Sequence, residues 1–117
     1  MELNIIEFKN CALLHIEGRI DSYSASRVDS TLNQLVEDGQ YNLLFDMQDV
    51  TYISSSGMLT LVNWQKKLQQ KSRGEIALAT IPELVLSSFE LAGFDQLFKI
   101  YSNSDLAMES FGKGKHG

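Results

Sequence analysis

Histidine is scarce in this chain: only His15 and His116 occur in 117 residues. Imidazole is the usual general base beside a nucleophilic serine or cysteine. His15 reads as mid-strand, far from any serine cluster at a sheet end, and His116 falls in the last residues. A serine hydrolase is therefore not expected, and Ile53-Ser54-Ser55-Ser56-Gly57 also lacks the leading glycine of a nucleophile elbow. The single cysteine, Cys11, excludes an intrachain disulfide and fits a reducing compartment. It lies in an apolar run and reads as a small buried hydrophobe. One cysteine and two separated histidines do not make a usual zinc site. Asp46 and Asp49 offer a hard cation only two carboxylates, so neither metal nor cofactor is expected. No phosphate-cradling G-x-x-x-x-G-K-[ST] or G-x-G-x-x-G run is present.

Positive charge is also in deficit. Ten Lys+Arg against 15 Asp+Glu give a formal charge of −5. A general nucleic-acid binder needs a basic footprint, so that class is set aside. The one basic cluster, Lys66, Lys67, Lys71 and Arg73, falls at a predicted helix C-terminus, where it suits the dipole. No apolar run approaches the ~18 residues that span a bilayer. The opening MELNIIEFKN is acidic early and lacks a long apolar stretch, so it is not read as a signal peptide. The expected location is the cytoplasm.

What is present is one domain's worth of alternating elements. Residues 2–8 and 11–17 read as a hairpin turned at Lys9-Asn10. The second strand's outer face, with His15 and Glu17, is mixed, which favours helices on one sheet face. Residues 18–22 read as a loop. A helix over 23–38 follows, capped by Ser22 or Ser24, with Val28, Leu32, Leu35 and Val36 as its apolar stripe. Residues 41–46 predict a strand ending at Asp46, and 47–54 a short connection. The next helix opens within Ser54-Ser55-Ser56-Gly57 and runs to about 70. Its stripe is Met58, Leu61, Val62 and Leu68, interrupted by Gln65. A strand over 75–79, a helix over 83–92 with Pro82 in its first turn, a strand over 98–101 and a helix over 102–111 complete the chain. Ser102 or Ser104 is its expected cap. The order β-β-α-β-α-β-α-β-α implies an α/β fold with a mixed, mostly parallel sheet and helices mainly on one face. Residues 1–112 form the domain and 113–117 an unstructured tail.

Three serines before Gly57 exceed what a helix cap needs. One hydroxyl caps, and the glycine lets the backbone pass close to the strand. At least one further hydroxyl is left at a helix mouth, where the amides and dipole of Ser55, Ser56 and Gly57 tolerate an anion. A phosphate there would add about −1.5 to −2 charges without melting its own helix.

Residues 44–58, LFDMQDVTYISSSGM, resemble the signature of STAS domains, most of all those of bacterial anti-sigma factor antagonists. That signature is an apolar strand, an Asp, a short spacer, then Asp-Ser-Ser/Thr-Gly-Leu/Met opening a helix. Gly18-Arg19-Ile20-Asp21 resembles the family's Gly-x-Leu/Ile-Asp after the second strand. Leu91-Ala92-Gly93-Phe94 through Leu97-Phe98-Lys99-Ile100 resembles its third-helix end and last strand. The likeness covers essentially the whole chain. It implies a binding switch rather than an enzyme. The unphosphorylated antagonist holds an anti-sigma factor that is also a serine kinase; phosphorylation releases it, and a metal-dependent serine phosphatase resets it. Position by position, the resemblance makes Ser55 the acceptor and Ser54 the second choice. Asp21, Tyr23, Ser54, Ser56, Gly57 and Met58 become the expected partner-binding residues, and Asp46 matches the strand-end aspartate. One position departs: Ser54 stands where the family has Asp, which removes a carboxylate and adds a hydroxyl. The free protein is expected to be a monomer that inserts in no membrane. Two alternatives share the fold without phosphoregulation: a constitutive STAS docking subunit, as in a lipid-transport ABC transporter, or a small-ligand module.

Overall fold

The strands lie in the sheet in chain order. β1 (Glu2–Glu7) and β2 (Ala12–Ile20) form the antiparallel hairpin; β3 (Asn42–Ile53), β4 (Glu75–Ala79) and β5 (Lys99–Tyr101) continue the sheet in parallel. Helices α1 (Ser22–Glu37), α2 (Ser55–Gln70), α3 (Glu83–Ala92) and α4 (Ser104–Gly114) fill the connections and close the chain. This computed structural model describes residues 1–71 and 73–114. α4 continues two residues beyond the expected domain end at 112, and the rest of the expected tail, 115–117 with His116, lies outside the described residues.

Alternation along the strands builds two cores. Ala12, Leu14, Ile16, Leu43, Phe45, Met47, Ile76 and Leu78 point to one face. There they meet Val28, Leu32 and Leu35 of α1, Met58, Leu61, Val62 and Leu68 of α2, and Val85 and Phe89 of α3. Three of the four helices thus lie on one face, as expected, while the opposite face is not bare. Cys11, Leu44, Ala77 and Ala79 make its central strands apolar, and Ala107 and Phe111 of α4 cover them. Burial pushes the Cys11 thiol pKa up, which keeps it the inert hydrophobe expected.

Two element boundaries differ from the sequence reading for one reason. β3 runs to Ile53 rather than stopping at 46, so Asp46 is mid-strand, and β2 runs to Ile20 through the expected loop. The β2–β3 pairing slips twice, His15↔Asp46 giving way to Glu17↔Asp49 and Gly18↔Val50 to Arg19↔Tyr52. Each slip leaves an extra residue on β3 and breaks the two-residue period. Buried positions there fall at Met47, Val50 and Ile53, which does not read as a strand. Gly18 sits between the slips at φ +97°, a conformation glycine adopts without steric penalty.

Gln65, the break in the α2 stripe, is buried and fully used. Its carbonyl accepts from the Ile76 amide at 2.6 Å, and its Nε2 donates to the carbonyls of Ile76 (3.2 Å) and Leu97 (2.9 Å). β5 pairs only with residues 77–79 of β4, so Gln65 completes the ladder at Ile76. Smaller corrections concern caps: Pro82 is the N-cap residue of α3 rather than a member of its first turn. Asn103, not Ser102 or Ser104, accepts from an α4 amide, that of Leu106, at 2.9 Å.

Candidate functional site

β2 and β3 are parallel neighbours, so the helices that follow them start side by side at one end of the sheet. The Ser54 amide donates to the Ile20 carbonyl at 2.8 Å, tying the two strand ends together. Gly57 lets α2 sit this close. A Cβ there would lie 2.8 Å from Ile20 Cγ2, 3.0 Å from Ile53 Cγ1 and 3.1 Å from the Ile20 carbonyl oxygen.

The N-cap of α1 is Asp21, not Ser22 or Ser24. Its Oδ1 accepts from the amides of Tyr23 (3.0 Å) and Ser24 (3.1 Å) and from the Ser24 hydroxyl (3.1 Å). Ser24 Oγ in turn accepts from the Asp21 amide at 2.8 Å, completing a capping box. The Ser24 amide, then the Ser24 hydroxyl, the Tyr23 amide and the Arg19 charge outweigh desolvation and hold the Asp21 pKa low.

The N-cap of α2 is Ser54, whose hydroxyl accepts from the Gly57 amide at 3.1 Å and shares a hydrogen bond of 3.3 Å with Ser56 Oγ. Of the helix-mouth amides, Gly57's is thus already taken, which corrects the expected three-residue anion site. The amides of Ser55 and Ser56 remain. Ser55 is exposed, and among the described residues its hydroxyl has no hydrogen-bond partner. The first turn of α2 holds no acidic side chain.

Tyr23 stands out beside this mouth with 90% of its surface exposed. Met58 and Gly57 do not: Met58 is 7% exposed and packs in the main core, and Gly57 is buried against Ile20 and Ile53. Both are corrected from partner contact to scaffold, because the helix rotation that seats Leu61 and Val62 seats Met58 with them. The exposed apolar neighbours are instead Leu59 (46%) and Tyr52 (41%), the latter stacked under the Arg19 guanidinium at 4.3 Å. Leu59 lies one turn after Ser55 on the same helix face. Its signal in the sequence is an apolar residue off the buried stripe. Tyr52 falls in the stretch whose sequence predicts a connection and which the structure shows to be the second half of β3.

The other singled-out residues lie elsewhere. Asp46 is half-buried and accepts from the Gln48 amide at 3.1 Å; Asp49 pairs with His15 and not with Asp46. In the basic cluster, Lys67 lies over the Trp64 ring at 4.4 Å and Arg73 beside the Tyr41 ring at 5.4 Å. No helix among the described residues is long and apolar enough to cross a membrane.

A family model described as STAS domain matches residues 2–107. The anti-sigma-B factor antagonist of Bacillus subtilis is 27% identical over 105 residues, spanning 90% of this chain and 94% of its own. An anti-sigma factor antagonist from Mycobacterium paratuberculosis superposes with a TM-score of 0.83 at 21% identity, covering 94% of this chain and 92% of its own. Bacillus SpoIIAA superposes at 0.80 in its unphosphorylated form, with 10% identity and coverage of 93% and 95%. Its phosphorylated form superposes at 0.73, also with 10% identity, covering 93% of this chain and 98% of its own. At these identities the superpositions speak for the fold.

Proposed function

The chain belongs to the STAS domain family, and from that premise we propose that it is an anti-sigma factor antagonist, a binding switch controlled at Ser55. In its unphosphorylated form it binds an anti-sigma factor that doubles as a serine kinase. Phosphorylation of Ser55 ends the complex, and a metal-dependent serine phosphatase restores it. The chain itself performs no chemistry and works in the cytoplasm as a monomer until it meets its partner. The relatives' names support the partner class. The observation that carries the site is Ser55: exposed, without a hydrogen-bond partner among the described residues, at an open helix mouth.

The physical switch follows from size and charge. A partner surface seated on Tyr23, Tyr52 and Leu59 covers the Ser55 hydroxyl, which is small and neutral. A phosphate in the same place overfills the gap, and burying its charge without a cation costs on the order of several kcal/mol. The adjacent Ser55 and Ser56 amides and the α2 dipole stabilise that phosphate in the free protein. Ser54 serves as cap, so its hydroxyl is the less available acceptor.

The test is affinity capture from native lysate with wild type, Ser55→Ala and Ser55→Asp as baits. The expected result is an ATP-binding kinase held by wild type and Ser55→Ala and lost by Ser55→Asp, with far-UV circular dichroism unchanged. A partner held equally by all three would overturn the switch and favour the constitutive docking subunit.

A further inference from the structure

The sheet face opposite α1–α3 carries a group of titratable side chains that the helix mouths do not use. His15 and Glu17 are two apart on β2 and share that face. Asp49 reaches it only because of the first slip in the β2–β3 pairing. His15 lies opposite Asp46 but Glu17 opposite Asp49, so β3 carries one extra residue there. Without the bulge Glu17 would meet Gln48, and Asp49 would turn toward the main core.

His15 Nε2 donates to Asp49 Oδ2 at 2.8 Å. One ligand atom from each of His15, Glu17 and Asp49 lies within 4.8 Å of the others. The hairpin register adds Glu2, directly opposite Glu17. Three adjacent strands thus place three carboxylates in one row beside an imidazole. Among the described residues, none of the three is paired with a lysine or arginine. Like charges facing each other across strands destabilise a sheet, and a cation removes that repulsion.

We propose that His15, Glu17 and Asp49 bind one first-row divalent metal ion, of the Zn²⁺ class, with Glu2 at the rim. The imidazole distinguishes the set from the all-oxygen sites that suit Mg²⁺ and Ca²⁺. Glu17 and Asp49 are exposed, so their carboxylates are free to rotate onto an ion at about 2.0–2.2 Å. The ion takes the place of the proton on His15 Nε2, which the neutral imidazole carries on Nδ1 instead, and clamps β2 to β3 just before the strand ends that lead to Asp21 and Ser54.

Calorimetric titration of the full chain with zinc chloride tests this, alongside His15→Ala, Asp49→Asn and His116→Ala, each checked by circular dichroism. The expected result is saturable binding of one Zn²⁺ per chain, weakened at least about tenfold by His15→Ala and by Asp49→Asn, and unchanged by His116→Ala. Amide resonances of the wild type broadened by Mn²⁺ and centred on residues 15, 17 and 49 support the site even where a variant misfolds. No saturable heat up to roughly 1 mM Zn²⁺, binding indifferent to His15 and Asp49, binding lost with His116, or broadening centred elsewhere would each overturn it.

Discussion

Two helix mouths stand side by side above β2 and β3, and they are closed differently. At α1, Asp21 takes two amides and a hydroxyl, and Ser24 answers with a bond of its own. At α2, Ser54 takes one amide, and the next hydroxyl, on Ser55, is left to solvent. The α1 mouth is a finished structure with a fixed negative charge; the α2 mouth is neutral and incomplete. The difference is what the proposed switch at Ser55 requires: a neighbour whose cap bonds are all made, and a mouth whose dipole and free amides tolerate an added charge without loss of its own helix.

The comparison breaks most severely at Gly57, which lets the two mouths touch. Gly57→Ala forces a Cβ onto Ile20 and Ile53. Overpacking of about 1–3 kcal/mol, less about 1 kcal/mol for the better helix propensity of alanine, leaves a net loss of up to roughly 2 kcal/mol. Urea unfolding reads this, and partner binding falls with it because the mouths move apart.

Removing the closed cap is the next largest effect. Asp21→Ala lowers the urea midpoint by less than Gly57→Ala but by more than the loss of the α2 cap, since three accepted bonds disappear rather than one. Protons sharpen this. The Asp21 pKa is held below the ordinary value, so its stabilisation is complete above a pH of about 4 and is lost as pH falls through the lowered folded value. The midpoint gap between wild type and Asp21→Asn therefore closes on acidification.

The smallest change is at the open mouth. Ser54→Ala removes one cap bond and costs about 1 kcal/mol, with a gap to wild type that stays flat across the same acid range. Ser54→Asp places a carboxylate at the cap, caps equally well and keeps the wild-type midpoint. Unequal midpoints for wild type and Ser54→Asp, or an acid-sensitive gap for Ser54→Ala, would erase the distinction drawn between the two mouths.

Much of this architecture was legible before any coordinates. The helix stripes Val28-Leu32-Leu35 and Met58-Leu61-Val62-Leu68, the Lys9-Asn10 turn and the stop at Gly93 are local patterns, and local geometry obeyed them. The serine run before Gly57 was legible for the same reason, since a cap is a matter of neighbours in sequence. The second half of β3 was not. Its bulges exist only in relation to β2, and a pairing slip leaves no two-residue rhythm to read. Gln65 looked like a flaw in a stripe because the unpaired Ile76 backbone it serves lies on another element.

What the sequence determined by itself is the set of elements, their order and the presence of spare hydroxyls at the start of α2, because helix period, strand alternation and capping act over a few residues. What the tertiary structure alone decided is which of those residues face outward together. It buried Met58 and Gly57, exposed Leu59 and Tyr52, gave Ser54 to the cap and left Ser55 open. It also turned Asp49 toward His15 and Glu17. Each of these outcomes depends on helix rotation or strand register, which is set by packing against distant segments and is not encoded in any short window of the chain.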